Sequence, residues 1–293
     1  MTEYSKKSNL CDRNIRLYAS HDWFKPGRGW MTILVCVLVA DGIVLSADSR
    51  QVRLSASKFL RTDSDYAEKI LPLSSRAAAV ICGQGFFYTN DSESPKSINA
   101  IIRSAANRLP QNSTVKEIAM AVHEELSQAA NEHSRATQTQ ITDIPISFYL
   151  AGYSPNCEVG ELYRCDIPGE VVLNRQTSDA GAVWNGQHEI IDRLILGYDP
   201  RFLKLITLPD DIVKTIVEQS SKLQLFINFQ TFNLQDAVNF VSTLVNTTIS
   251  LQNLSDGIVG MPGQFPVCGG ALDVAVIKPI EGFSWINHKN LGF

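Results

Sequence analysis

The residues that could do chemistry stand at the two ends of one stretch, Thr32 to Arg50, which reads TILVCVLVADGIVLSADSR. Thr32 opens it with a hydroxyl group, and a polar cluster closes it with the carboxylate of Asp48 and the guanidinium of Arg50. A hydroxyl that acts as a nucleophile needs neighbouring groups that accept its proton and balance charge. If the chain folds back between the two ends, these three residues meet and outline a site.

The elements that would position them are two hairpins. Two apolar runs joined at Asp41-Gly42 predict a hairpin over residues 32–50, because Asp-Gly between apolar runs is a strong turn signal. Residues 69–73 lead into residues 77–85, which predicts two further short strands that end in a Gly-rich turn.

With these elements in place, the chain resembles the proteasome family, meaning the proteolytic subunits of the proteasome and the related two-ring bacterial protease. In that family a nucleophilic Thr opens a strand and an Asp ends the next strand. A Lys then precedes a short apolar strand, and a Gly stands where that strand ends. The matching positions are Thr32, Asp48, Lys69 and Gly83. The segment between Asp48 and Lys69 is a few residues longer than is usual in the family.

The resemblance covers roughly residues 32–280 and sharpens the predicted fold. Groups of antiparallel strands separated by pairs of long helices indicate an α+β chain with two sheets between helix layers. The family implies the four-layer αββα sandwich of the N-terminal nucleophile hydrolases. We predict a single domain over residues 32–293. The helices are predicted at 96–109, 115–130, 188–197, 209–226 and 234–250, and the later strands at 145–152, 161–166, 170–174, 182–187 and 271–277.

These residues suit acyl transfer. A Thr at a mature N-terminus carries a general base in its own α-amino group, whose pKa lies near neutrality. We expect Lys69 to stabilise the alkoxide of Thr32, Asp48 to hold Lys69, and Arg50 to orient Asp48. A backbone N–H at Gly83 would stabilise the oxyanion, since Gly lets the main chain approach the substrate closely.

The resemblance also implies a substrate pocket and reveals departures. The pocket would be lined by Ala67, Leu71 and Ile81, whose apolar character favours hydrophobic residues before the scissile bond. The family supports the terminal amine with a Ser, for which Asn185 stands here. It also uses an Asp and a second Ser, which are replaced here by Phe265 and Cys268, and Phe265 cannot act as a carboxylate.

Residues 1–31 are expected to be an N-terminal extension, a propeptide, or not translated at all. Thr32 is small enough for an initiator Met31 to be removed, which would leave Thr32 as the mature N-terminus. The family more often has Gly before the Thr, so Trp30-Met31 argues against self-cleavage.

Composition excludes several classes of function. The chain has 293 residues and a net charge of -4 with no basic block, so we expect no nucleic-acid partner. The longest apolar run, residues 31–47, is short and interrupted, so we expect no membrane span, and the absence of a secretory signal leaves the cytoplasm. The six scattered cysteines predict free thiols rather than a metal site, and the mechanism requires no metal or organic cofactor.

The leading hypothesis is therefore a threonine peptidase that hydrolyses polypeptides through an acyl-enzyme on Thr32. By resemblance it would work as a homo-oligomeric ring; the sequence indicates neither the ring size nor an ATPase partner. Two alternatives stay open. One is a non-catalytic structural or assembly subunit of the same type, and the other is a hydrolase of the same superfamily that acts on small amides.

Overall fold

The computed structural model describes residues 32–54, 60–88, 95–144, 146–205, 208–258, 261–262 and 266–289. The predicted extension over residues 1–31 and the departure at Phe265 lie outside the described residues.

The first predicted hairpin forms, with its turn one residue earlier than predicted. Strands β1 (Ile33–Val39) and β2 (Gly42–Asp48) are antiparallel, and Gly42 already pairs with Val39, so Ala40 and Asp41 make the turn. A Cβ at Gly42 would lie 2.8 Å from the carbonyl oxygen of Ile277, which explains why this position needs glycine. Every residue of both strands is buried, as expected for strands covered on both faces.

Two short ribbons flank the second predicted hairpin, and neither was predicted. Strands β3 (Gln51–Leu54) and β4 (Leu60–Ser64) pair with each other. The hairpin itself consists of β5 (Ile70–Ser74) and β6 (Ala77–Gly83). Strands β7 (Phe86–Phe87) and β8 (Lys96–Ser97) form the second ribbon. Pieces this short carry too little periodicity to be read from sequence.

Helices α1 (Ile98–Asn107) and α2 (Val115–Thr137) follow. Thr114 and Glu117 form the capping box at the start of α2. The helix continues well past its predicted end near residue 130, because His133 on the next turn is buried and packs against Phe87 at 5.3 Å between ring centroids.

The second half of the chain supplies the remaining strands and helices. The strands are β9 (Ile146–Tyr153), β10 (Gly160–Ile167), β11 (Val171–Gln176) and β12 (Gly181–Gly186). The helices are α3 (Glu189–Leu196), α4 (Phe202–Leu205), α5 (Asp210–Ser220) and α6 (Leu234–Leu254). The closing strands are β13 (Gly257–Ile258), β14 (Met261–Pro262), β15 (Leu272–Lys278) and β16 (Gly282–Asn287). Helix α5 is shorter than predicted, since a 3-10 turn over Ser221–Leu223 follows it, and β16 was not predicted.

Two five-stranded antiparallel sheets form the centre, with strand orders β12-β1-β2-β15-β16 and β11-β10-β9-β6-β5. One apolar cluster joins the facing sides of the two sheets and includes Leu45 and Val80. A second cluster lies between the first sheet and helices α3 and α6, and a third lies between the second sheet and helices α1 and α2. The predicted α+β class is confirmed.

The topology brings four chain segments to one end of the sheets. Thr32 immediately precedes β1, and Asp48 is the last residue of β2, its neighbour. Lys69 directly precedes β5, and Gly83 ends β6, in the facing sheet. Within the described ranges, no helix is long and apolar enough to cross a membrane.

Candidate active site

The carboxylate of Asp48 lies at the centre of this end of the molecule. Its Oδ1 accepts hydrogen bonds from the Ile33 N–H at 3.0 Å and from Lys69 Nζ at 2.7 Å. Its Oδ2 accepts from the Gly269 N–H at 2.9 Å and from the Arg50 N–H at 3.3 Å. The carboxylate is fully buried, and a buried charge is tolerated only when paired and hydrogen-bonded in this way. Asp48 thus joins four segments of the chain.

Lys69 reaches Asp48 from the second sheet. Its carbonyl accepts a hydrogen bond from the Ile81 N–H at 2.9 Å, which extends the β5–β6 pairing by one step and fixes the backbone of Lys69. The side chain is only 9% exposed. The ion pair therefore links the two sheets where β1 begins, and its strength is raised by the exclusion of water.

Thr32 is almost completely buried, with 4% of its surface exposed. Its carbonyl accepts a hydrogen bond from the Gln187 N–H at 2.7 Å. Gly186, at φ +90°, packs against that carbonyl so closely that a Cβ there would lie 1.9 Å from the oxygen. The end of β12 therefore fixes the backbone of Thr32.

Cys82 is a neighbour of Thr32 that the sequence reasoning missed. The Cys82 Sγ and the Thr32 carbonyl oxygen both lie against Gly186, where a Cβ would be 3.2 Å and 1.9 Å from them. Burial raises the pKa of the Cys82 thiol well above its usual value, although the charge of Lys69 acts in the opposite direction. The thiol is thus neutral, and it responds to the charges of both Lys69 and Asp48, so a hydroxyl, a thiol, an ammonium and a carboxylate share one site. The available signal was the position of Cys82, directly before Gly83.

Gly83 and Asn185 lie at the ends of strands beside this site. Gly83 has a φ of +122° at the end of β6, where it pairs with Ile146. Asn185 Nδ2 donates to Ser147 Oγ at 3.0 Å, and its Oδ1 accepts from the Gly186 N–H at 2.7 Å. Asn185 therefore holds the turn that carries Gly186, and Ser147 is a second residue that was not anticipated.

Arg50 has a different partner from the one expected. Its guanidinium binds Asp65 with two hydrogen bonds, Nε to Oδ1 at 2.7 Å and Nη2 to Oδ2 at 3.1 Å. Its Nη1 donates to the Pro266 carbonyl at 3.2 Å, so that only the backbone N–H of Arg50 reaches Asp48. The hydrogen bond from Arg50, followed by its charge, holds the pKa of the Asp65 carboxyl below its usual value.

Cys268 contributes backbone rather than chemistry to the site. Its N–H donates to Gln252 Oε1 at 2.9 Å. Burial, and then the charge of Asp48, raise the pKa of its thiol well above the usual value, so the thiol is neutral. The next residue, Gly269, makes the direct bond to Asp48.

The three predicted pocket residues do not share one open surface. Leu71 is fully buried and Ile81 is 7% exposed, and both pack in the cluster between the second sheet and helices α1 and α2. Ala67 is partly exposed, and its N–H donates to the Ser49 carbonyl at 2.9 Å. A substrate could contact Leu71 only after its neighbours move.

Among the described residues, no group of three His, Cys, Asp or Glu side chains has a geometry that could hold a metal ion. A search of protein-family models finds none that matches this chain, and none of the curated proteins compared with it is significantly similar.

Proposed function

We propose that this chain is a threonine-type peptidase of the proteasome type. The observation that carries the proposal is the buried Lys69–Asp48 pair, because Asp48 is bound at the same oxygen by Lys69 Nζ and by the N–H of Ile33, the residue after Thr32. This arrangement ties an ammonium group to the start of the strand that the candidate nucleophile opens.

In the proposed reaction, Thr32 Oγ attacks the carbonyl carbon of a peptide bond. The free α-amino group of Thr32 accepts the hydroxyl proton and returns it to the leaving amine, which gives an ester on Thr32. Water then hydrolyses the ester by the same proton route. Lys69 stabilises the developing negative charge on the Thr32 oxygen, and the Gly83 N–H is our candidate donor to the oxyanion.

The finer structural and cellular assignments belong to the same proposal. We assign the two packed sheets with their outer helices to the four-layer αββα sandwich of the N-terminal nucleophile hydrolases. The substrate would be a polypeptide, the working form a homo-oligomeric ring, and the location the cytoplasm.

The test starts with the mature chain purified from its native host. Its intact mass and N-terminal sequence should show Thr32 as the first residue, and hydrophobic fluorogenic peptides should be hydrolysed. Thr32→Ala should lower kcat by roughly 10³-fold or more with the fold intact by circular dichroism, while the control Thr32→Ser should retain measurable turnover. Equal turnover by Thr32→Ala and the wild type would overturn the proposal.

A non-catalytic structural subunit is the second candidate, and one observation favours it. Thr32 is only 4% exposed, so little of this residue is open to a substrate in this conformation. A mature chain that begins at Met1, together with no peptide hydrolysis, would decide for this candidate, because a Thr32 inside the chain has no free amine to act as base.

A further inference from the structure

The donor to Asp48 that lies farthest away along the chain belongs to a short turn, residues 266–270, which we call the glycine turn. The Gly269 N–H donates to Asp48 Oδ2, and the Gly269 carbonyl accepts from the Ser49 N–H at 3.0 Å. The turn belongs to no helix or strand. Besides these bonds, side chains bind the turn from two sides.

Arg50 binds one side of the glycine turn. Its Nη1 donates to the Pro266 carbonyl. Its guanidinium lies so close to Gly269 that a Cβ on that glycine would be 2.4 Å from Arg50 Cζ. Asp65 fixes the guanidinium with two hydrogen bonds, and the Asp65 carbonyl oxygen lies where a Cβ on Gly270 would be 2.5 Å away. The Arg50–Asp65 pair and the turn are therefore in close contact over three residues.

Gln252, near the end of α6, binds the other side. Its Oε1 accepts the Cys268 N–H at 2.9 Å, and its Nε2 donates to Gln187 Oε1 at 3.4 Å. Gln187 in turn donates its N–H to the Thr32 carbonyl. One amide side chain thus connects the glycine turn, which binds Asp48, to the turn that binds Thr32.

We propose that Asp65 and Gln252 are positioning residues that hold the glycine turn from its two sides and so set the place of Asp48 relative to Thr32 and Lys69. The catalytic consequence rests on the proposed function, whereas the positioning of the turn does not.

The experiment compares Asp65→Asn and Gln252→Ala with a matched control, Asp63→Asn. Asp63 lies on β4, two residues before Asp65, and pairs with Arg53 at 2.6 Å rather than with a residue that binds the glycine turn. Hydrogen exchange by mass spectrometry on the full chain should show the peptide that contains residues 266–270 exchanging roughly tenfold faster in Asp65→Asn and Gln252→Ala. Asp63→Asn should leave that peptide at the wild-type rate, and Asp65→Glu should restore slow exchange.

Peptide hydrolysis gives the second readout. A shifted Asp48 should lower kcat by roughly 10- to 100-fold with KM within about twofold, because the groups are misplaced rather than lost. Unchanged exchange in Asp65→Asn, or equal acceleration in Asp63→Asn, would overturn the positioning role. A wild-type chain that hydrolyses no peptide would refute the proposed function alone, since the exchange comparison still decides the positioning.

Discussion

Two buried aspartate–lysine pairs lie on neighbouring strands of the first sheet, and they are built differently. Asp48 ends β2 and pairs with Lys69, while Asp273 lies on the adjacent strand β15 and pairs with Lys289. Both carboxylates are essentially unexposed, and both lysine side chains are at most 9% exposed. Burial and charge alone would not tell the two pairs apart.

Their partners do. Asp48 accepts hydrogen bonds from its own strand end and from three other segments, including the one that follows Thr32. Asp273 receives its donors from one local segment, through the N–H and Nζ of Lys289 and the ring of His288. The His288 ring in turn stacks on Trp285 at 4.0 Å between centroids. The second pair fastens the chain after β16 to the sheet, whereas the first joins the start of β1, the start of β5 and the Gly269 backbone. A buried ion pair is thus a candidate site only through the groups it brings together.

The comparison is tested most severely by Lys69→Met and Lys289→Met. Each substitution leaves a buried carboxylate without its cation, so each should lower the free energy of unfolding by on the order of 3–5 kcal/mol. Only Lys69→Met should also abolish peptide hydrolysis, by roughly 10³-fold in kcat. Urea unfolding and turnover measured on the same preparations check both effects. Loss of turnover in Lys289→Met, at a temperature where it remains folded, would remove the distinction between the two pairs.

The sequence was informative about the site where the signal is local. Thr32 and Asp48 lie at the ends of a hairpin whose turn and apolar runs are adjacent in the chain, so their meeting could be predicted. Asp65 and Gln252 could not be, since their contacts with the glycine turn depend on how separate elements dock. Leu71 was assigned to a pocket through the family resemblance, and in this structure it packs under helices α1 and α2. The sequence does not reveal which face of a strand is covered.

The same dependence on contacts between separate elements explains which parts of the fold could be predicted from the sequence and which could not. The long amphipathic helices and the buried strands were predicted, because each carries its own periodicity. Strand β16 was missed, since exposed polar residues at Ser284 and Asn287 stand among apolar ones without a clear alternation, and it is defined mainly by its pairing with β15. The ribbon of β3 and β4 was missed because its strands are too short to show a periodicity, and with it the place of Asp65, which directly follows β4.

The substitution Gly186→Ala tests whether the end of β12 fixes Thr32 beside the Asp48–Lys69 pair. A Cβ there would lie 1.9 Å from the Thr32 carbonyl oxygen and 3.2 Å from Cys82 Sγ, on a backbone with a φ of +90°. We expect a loss of about 2–3 kcal/mol in the free energy of unfolding and a displaced Thr32. Gly85→Ala is the control, because its new Cβ would meet nothing closer than Gln51 Nε2 at 3.6 Å. Equal stability of the two variants in urea would show that β12 does not fix Thr32.

The smallest effect is expected at a third acid–base pair, His188 and Asp192, which is more exposed than the other two. His188 Nδ1 lies 2.6 Å from Asp192 Oδ2, and the Trp184 Nε1–H donates to the other carboxylate oxygen at 2.8 Å. Burial lowers the pKa of His188, but the hydrogen bond and charge of Asp192 outweigh it, so that the pKa lies above its usual value.

A raised pKa in the folded state means that the pair stabilises the fold fully below the unfolded pKa near 6.5 and loses this contribution as the pH rises through the folded value. His188→Gln should therefore destabilise the chain more at pH 5.5 than at pH 9. The difference should be below about 1 kcal/mol, since the imidazole is 41% exposed. Urea unfolding of wild type and variant at both pH values measures it. A larger loss at pH 9 would reverse the assigned direction, and a difference as large as that of Lys69→Met would mean that exposure does not separate the three pairs.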